Sequence, residues 1–133
     1  MIYLDTAALV KLVRPEAESR ALVDWLGSRP AERVVASALV EVELPRALHR
    51  SAPGVLGGVA AVLARLYRVD VNAAVRATAG AYPGPGLRSL DAIHLATAEF
   101  LVASGQPISA FITYDKRLAE VAERAGLDVV APN

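Results

Sequence analysis

The sequence predicts an α/β domain in which a parallel sheet lies between two layers of helices. Short apolar runs alternate with helix-like stretches along the whole chain, and this alternation is typical of a parallel sheet covered on both faces. The chain has 133 residues, of which 54% are hydrophobic, so it can form one domain with an ample core. No internal repeat is present, and residues 1–133 are predicted to form a single domain.

Five short apolar runs predict the strands of the sheet. Each run is too short for a helix and is bounded by helix or turn signals. They are residues 1–4, 34–36, 67–71, 110–113 and 127–130. With helices between them, these runs predict a three-layer α/β/α fold with a parallel five-stranded sheet.

Helices in the first part of the chain are predicted from apolar spacing and end signals. The first covers residues 6–13, and the second begins at Pro15 and ends near Gly27. The third follows Ser37, which is suited to cap it. Pro45 falls inside this third helix, where it removes a backbone donor, so a kink is expected there.

Four further helices are predicted, at residues 55–66, 73–81, 90–103 and 114–125. Asn72 and Ser89 are the predicted N-caps of the second and third of these, and Gly126 ends the fourth. Gly57 and Gly58 in the first suggest close packing of another element. The dipeptide repeat Pro-Gly at residues 83–86 predicts a loop.

Composition limits the classes of protein that this chain can belong to. The formal net charge is +0, so a nucleic-acid partner would need a local basic rim. The absence of cysteine excludes disulfides and zinc–thiolate sites and is compatible with a cytoplasmic location. No signal peptide is recognisable, and no membrane association is expected, because the longest uncharged apolar stretch, residues 54–64, falls short of the roughly 20 residues that span a bilayer. That stretch is predicted to be a buried helix.

Four acidic residues stand where the predicted fold would place ligands. Asp5 and Asp115 each follow an apolar strand, Asp91 opens a helix, and Glu43 lies inside the helix that follows Ser37. In open α/β sheets, ligands bind beyond the carboxyl ends of the strands. Carboxylates gathered there repel one another unless a hard cation joins them, which indicates a Mg²⁺ or Mn²⁺ site and phosphodiester chemistry.

Four segments around these acids resemble the four sequence motifs of PIN domains. They are residues 1–12 (MIYLDTAALVKL), 37–43 (SALVEVE), 87–98 (LRSLDAIHLATA) and 111–118 (FITYDKRL). The motifs occur in order over nearly the whole chain. The sequence is most similar to the VapC-type ribonuclease toxins of bacterial toxin–antitoxin pairs.

The resemblance implies a metal-dependent endoribonuclease that is restrained by a cognate antitoxin filling the active-site groove. It also implies a homodimer built on a five-stranded parallel sheet, with RNA as the substrate. The matching positions imply an acidic site of Asp5, Glu43, Asp91 and Asp115, and a hydroxyl, Thr113, that holds a metal-bound water.

Pro45 departs from the pattern of the second motif, because a kink two residues after Glu43 could turn that carboxylate away. Glu41 is then the substitute ligand. His94, three residues after Asp91, is expected to be a buried, hydrogen-bonded helix histidine, with a metal or general-base role as the alternative.

Seven basic residues are candidates for a phosphate-binding rim or for ordinary solvated charge: Lys11, Arg14, Arg46, Arg50, Arg88, Lys116 and Arg117. The apolar positions within residues 10–13 and 44–48 are candidate docking surfaces for an antitoxin helix.

Three alternatives to a ribonuclease toxin remain at this point. A receiver-type signalling domain has a suitable length, but Asp5 is followed by Thr6 rather than by an acid, and Asn72 follows the third strand where the phosphoacceptor Asp is expected. A PIN-like module that only binds RNA or acts as a scaffold has no evident reason to keep four acids. A nuclease that cleaves DNA would use the same chemistry.

Overall fold

Five parallel strands form one sheet in the computed structural model, which describes residues 1–133. The strands are β1 Ile2–Leu4, β2 Val34–Ser37, β3 Tyr67–Val69, β4 Ala110–Ile112 and β5 Val129–Val130. Their order across the sheet is β3-β2-β1-β4-β5, and every neighbouring pair is parallel. The predicted five-stranded parallel sheet is therefore confirmed, with β1 at its centre.

Seven α-helices and one 3₁₀ helix cover the two faces of this sheet. They are α1 Thr6–Val13, α2 Ser19–Gly27, α3 Val40–Ser51, a 3₁₀ helix at Pro53–Gly58, α4 Val59–Ala64, α5 Ala73–Ala81, α6 Ser89–Ala103 and α7 Lys116–Arg124. Side chains alternate across β1, so Ile2 and Leu4 pack in one core with α1 to α4. Tyr3 packs in the other with α6 and α7. The result is the predicted three-layer α/β/α arrangement.

The register of β1 and β4 determines what meets at the carboxyl edge of the sheet. Leu4 lies opposite Ile112, so the residues after them are level with each other. The N–H of Asp5 donates to the carbonyl of Ile112 at 3.2 Å, which continues the pairing one step beyond β1. Asp5 and Thr113 are neighbours for this reason.

The second helix begins later than the sequence predicts. Residues 15–18 form a turn in which the hydroxyl of Ser19 accepts the N–H of Glu16 at 2.9 Å. Lys11 donates to Glu16 and Glu18 at 2.8 and 2.9 Å and holds that turn against α1. Pro15 therefore precedes a turn, and α2 starts at Ser19.

The predicted helix at residues 55–66 is wrong in two respects. It is divided into the 3₁₀ helix and α4, and within the apolar stretch at residues 54–64 only Val59 is buried. Gly58 does allow a close approach, because a Cβ there would lie 3.3 Å from Cγ1 of Val13, whereas Gly57 faces open space. The helix is short because its surroundings bury little of it.

Smaller differences concern the ends of elements. Ser89 is the first residue of α6 rather than its cap, and the residue before it makes no side-chain cap hydrogen bond. Asp115 caps α7, so the helix begins two residues later than predicted. The strands are shorter than the apolar runs, since Thr113 and Val71 both lie beyond the paired residues. Helix α3 continues through Pro45 to Ser51.

Replacing Asn72 with alanine tests a predicted cap that the structure confirms. Asn72 Oδ1 accepts the N–H of Val75 at 2.9 Å at the start of α5, which packs against α6. Loss of this acceptor should lower the free energy of unfolding by about 1 kcal/mol in urea denaturation. Asn133→Ala, at the exposed carboxyl terminus, should change it little.

Candidate functional site

The four predicted acids lie at the carboxyl edge of the sheet, each carried by a different helix. Asp5 is the N-cap of α1 and Asp115 is the N-cap of α7. Asp91 and Glu43 lie in the first turns of α6 and α3. Because the helices start where the strands end, their amino ends bring residues from four distant segments to one place.

Asp5 is the most buried of these carboxylates, with only 4% of its surface exposed. Its Oδ1 accepts the N–H of Ala8 at 2.8 Å, and its Oδ2 accepts the hydroxyl of Thr113 at 2.6 Å. Burial raises the pKa of Asp5, the two hydrogen bonds oppose that rise, and the charge of Asp91 adds to it. An ionised Asp5 therefore costs free energy unless a positive charge is close.

Glu43, rather than Glu41, faces the site. Its Oε1 accepts the hydroxyl of Thr6 at 2.5 Å and Nε2–H of His94 at 2.8 Å. Burial would raise the pKa of Glu43, but these two hydrogen bonds outweigh it and leave the pKa lowered. Glu41 is 48% exposed and lies 3.4 Å from Arg68 on the outside of the domain.

His94 is buried and hydrogen-bonded, as expected. Its ring lies between Glu43 and the hydroxyl of Tyr3, with Nδ1 2.8 Å from the Tyr3 oxygen. Burial raises the pKa of Tyr3 well above its usual range, so its phenol is a proton donor here. Thr6 and Tyr3 were not predicted as site residues. The only feature of the sequence that could have indicated them is their closeness to Asp5 in the first motif.

Thr113 joins two of the acids. Its hydroxyl donates to Asp5 Oδ2 at 2.6 Å and accepts the N–H of Asp115 at 3.1 Å. Asp115 Oδ1 in turn accepts the N–H groups of Arg117 and Leu118, which caps α7. Thr113 thus orients the carboxylate of Asp5 and contacts the backbone of Asp115.

Arg88 places a positive charge between Asp91 and Asp115. Its Nε lies 3.0 Å from Asp91 Oδ2, and its Nη2 lies 3.2 Å from Asp115 Oδ2. The side chain is 68% exposed and can leave this position at little cost. The guanidinium stands where a cation would join the two carboxylates.

No three acidic or histidine side chains converge closely enough to form a complete metal-binding cluster in this arrangement. The available donors are carboxylate oxygens, which are the ligands that Mg²⁺ and Mn²⁺ prefer. Mg²⁺ usually keeps several waters and needs only one or two protein carboxylates. The donor set therefore fits a hard divalent cation once Arg88 releases Asp91 and Asp115.

A groove of about 540 Å³ adjoins Asp115 and Thr6. Lys11, Arg14, Arg50, Tyr114 and Asp115 are among its lining residues. Lys11 and Arg14 are already paired with Glu16, at 2.8 and 2.7 Å. Arg50 is exposed and forms no ion pair, so it is the free cation of this groove.

The predicted apolar docking surfaces at residues 10–13 and 44–48 are only partly accessible. Val10, Leu44 and Leu48 belong to the core between α1, α3 and the sheet. Leu12, Val13 and Ala47 are partly exposed, and Val10 and Ala47 line the groove described above.

The PIN domain family profile matches residues 2–124. Ribonuclease VapC35 of Mycobacterium tuberculosis is 57% identical over 132 residues, which cover 99% of this chain and 97% of that protein. Ribonuclease VapC46 of the same species is 39% identical over 99% of this chain and 98% of its own length. The chain belongs to the PIN-domain family. Within the family it is a VapC-type protein, as the four motifs predicted, and the receiver-type alternative is thereby excluded.

Solved structures agree on the PIN fold. The crystal structure of VapC20 of M. tuberculosis, described as a sarcin-ricin loop cleaving toxin, superposes with a TM-score of 0.75 at 20% identity, over 99% of this chain and 100% of that one. FitAcB of Neisseria gonorrhoeae gives a TM-score of 0.68 at 21% identity, over 99% and 98%. PIN-domain VapC ribonucleases are metal-dependent in general. None of the helices in this chain has the length and apolar character needed to cross a membrane.

Asp5→Asn should stabilise the metal-free PIN domain. Because burial raises the folded-state pKa of Asp5, its contribution is favourable below the pKa of the unfolded chain and is lost as the pH rises through the folded-state pKa. The variant should therefore gain stability over the parent as the pH increases from about 4 to about 8 in EDTA.

Urea denaturation at both pH values measures this difference. Asp24→Asn removes an exposed carboxylate of α2 and is the matched control. If the free energies of unfolding of Asp5→Asn and Asp24→Asn depend on pH in the same way, burial of the Asp5 carboxylate does not destabilise the native state.

Proposed function

We propose that this VapC-type protein is an endoribonuclease toxin that hydrolyses RNA phosphodiester bonds with Mg²⁺ or Mn²⁺ held by Asp5, Glu43, Asp91 and Asp115. The observation that carries the proposal is the meeting of these four acids at one edge of the sheet. They come from four distant segments, and helix capping accounts for only two of them, Asp5 and Asp115. The near full-length similarity to a ribonuclease supports RNA as the substrate.

Hydrogen bonds fix these carboxylates to different degrees: both oxygens of Asp5 are bound by the protein, Oε2 of Glu43 is free, and Oδ2 of Asp91 and of Asp115 contacts only the exposed Arg88. Oδ1 of Asp5 and Oδ1 of Asp115 cap helices, and Oε1 of Glu43 is held by Thr6 and His94. A bound divalent cation makes water more acidic and draws negative charge from phosphoryl oxygens. The protein's part is to hold these carboxylates where such a cation can bind.

Exposed basic residues close in sequence to Glu43 and Asp115 are suited to bind the RNA backbone. Arg46, Arg50, Lys116 and Arg117 are exposed and free of ion pairs, unlike Lys11 and Arg14. Arg88 contacts Asp91 and Asp115 directly and can pair with a phosphate once a cation binds these two acids. The positive charge needed by a polyanion is thus local, in a chain of formal net charge +0.

We further propose a cognate antitoxin that places an Arg or Lys among the acids. The position of Arg88 supports this idea, because it demonstrates that Asp91 and Asp115 accept a guanidinium at 3.0 and 3.2 Å. The proposal also includes a homodimer, and sedimentation velocity measures this oligomeric state. The toxin would act in the cytoplasm, where RNA is available. Thr113 serves in this proposal to orient Asp5.

Two other functions are separated from this one by a cleavage assay. A PIN module that only binds RNA or acts as a scaffold would bind RNA without cutting it in Mn²⁺. A nuclease for DNA would cut a DNA oligonucleotide of the same sequence as fast as the RNA. Metal-dependent cleavage of RNA alone is the result expected here.

Glu43→Gln and Glu41→Gln form a matched pair for this assay. Glu43 faces the site and Glu41 pairs with Arg68 outside it, so only the first change should remove a ligand oxygen. Glu43→Gln is expected to lower kcat/KM for RNA by about 100-fold or more, the upper range for changes beside a metal, and Glu41→Gln to leave it nearly unchanged. Equal losses of kcat/KM in the two variants would show that Glu43 is not a ligand of the metal.

Arg88→Gln should increase the stabilisation that Mn²⁺ confers. A ligand of the native state raises Tm by mass action, and the guanidinium competes for two of the carboxylates. Thermal melting in EDTA and in millimolar Mn²⁺ gives the shift for each protein. Arg20→Gln, which removes an arginine paired with Asp24 on α2, is the control and should reproduce the parent's shift. A smaller shift for Arg88→Gln would mean that Arg88 supports the metal site instead of competing with it.

A further inference from the structure

A chain of hydrogen bonds runs from the core of the sheet to Glu43. The Tyr3 hydroxyl lies 2.8 Å from His94 Nδ1, and His94 Nε2 lies 2.8 Å from Glu43 Oε1. The three residues belong to β1, α6 and α3, so the chain connects the central strand to two helices of opposite layers.

The direction of the hydrogen bonds follows from the groups themselves. An ionised carboxylate only accepts, so Nε2 of His94 must carry the hydrogen that binds Glu43. In a neutral imidazole Nδ1 is then the acceptor, and the Tyr3 hydroxyl is its donor. Tyr3 thus selects the tautomer that donates to Glu43.

The two oxygens of the Glu43 carboxylate have different contacts. Thr6 and His94 both donate to Oε1, and no protein group donates to Oε2. No buried side-chain oxygen in the chain lacks a hydrogen-bond partner, so Oε2 is open to solvent. The arrangement holds one oxygen and leaves the other free to bind a ligand.

The anchoring end of this chain is rigidly packed. Tyr3 is fully buried and its ring is stacked on Phe111, with centroids 5.0 Å apart and planes at 1°. His94 is 2% exposed and meets the edge of the Tyr3 ring, with centroids 5.9 Å apart. Neither ring can change direction without disturbing the core.

We propose that Tyr3 and His94 are positioning residues that hold the Glu43 carboxylate so that its free Oε2 serves as a ligand for the divalent cation. This proposal rests on the proposed function and deepens it. It also explains why Glu43 can act despite Pro45, because the carboxylate is oriented from β1 and α6 as well as by its own helix. Groups that orient metal ligands typically contribute about 10- to 100-fold to metal affinity or activity.

His94→Leu and His94→Gln separate positioning from packing. Leucine fills space without a donor, whereas the glutamine amide can donate to Glu43 much as Nε2 does. Isothermal titration with Mn²⁺ should show affinity reduced about 10-fold or more in His94→Leu and largely restored in His94→Gln. In RNA cleavage, kcat should follow the same order while KM for RNA changes little.

Two further proteins make the test specific. Leu95→Ala creates a cavity beside His94 on α6 without touching Glu43, so it should lower Tm and leave Mn²⁺ affinity unchanged. In a Glu43→Gln background, His94→Leu should cost no additional Mn²⁺ affinity, because its effect passes through Glu43. Three results would each overturn the positioning role. They are additive losses of Mn²⁺ affinity in the double variant, equal effects of His94→Leu and His94→Gln, and reduced Mn²⁺ affinity in Leu95→Ala.

Tyr3→Phe keeps the stacked ring and removes only the hydroxyl, so it remains informative if His94→Leu does not fold. It should weaken Mn²⁺ binding in the same direction by a smaller factor, and unchanged affinity would overturn the role of Tyr3 in the chain. A different result would reject the proposed function. A parent protein that neither binds Mn²⁺ nor cleaves RNA would reject the metal site itself, whereas a parent that does both alongside an unaffected His94→Leu rejects only this inference.

Discussion

The burial of one carboxylate, that of Asp5, is the constraint on which the site depends. Asp5 follows the central strand and is 4% exposed, so its charge must be stabilised by the protein or by a bound cation. The protein supplies two hydrogen bonds, from Ala8 and Thr113, and these do not fully offset the burial, since the pKa of Asp5 stays raised. A positive charge bound beside Asp5 would offset the cost that remains.

Side chains that are held by hydrogen bonds at helix starts are the ligands of the proposed metal site. Asp5 and Asp115 each use Oδ1 to satisfy backbone donors at a helix start, and Glu43 uses Oε1 for Thr6 and His94. Oδ2 of Asp5 also accepts the Thr113 hydroxyl, whereas Oε2 of Glu43 has no protein donor. A carboxylate with one oxygen held is oriented before any ligand arrives, which would lower the entropic cost of binding. Arg88 occupies part of this site with an exposed side chain and is readily exchanged.

Much of the architecture could be predicted because it depends on local patterns. The alternation of apolar runs with helical spacing predicted five parallel strands, and Asn72 marked the start of α5 correctly. Predictions failed where tertiary contacts decide. The stretch at residues 54–64 is apolar, yet little packs over it, and the start of α2 depends on an ion pair between Lys11 and Glu16 that spacing cannot reveal.

The sequence by itself determined the fold class and predicted the four acids of the proposed site, since the motifs around Asp5, Glu43, Asp91 and Asp115 are contiguous and ordered. Only the tertiary structure decided between Glu43 and Glu41, because the choice depends on a histidine from α6 and a threonine from α1. Only it joined Tyr3 to His94 and Arg88 to Asp115, which are separated by many residues. Hydrogen bonds act over a few ångströms, so distance along the chain does not indicate which side chains will form them.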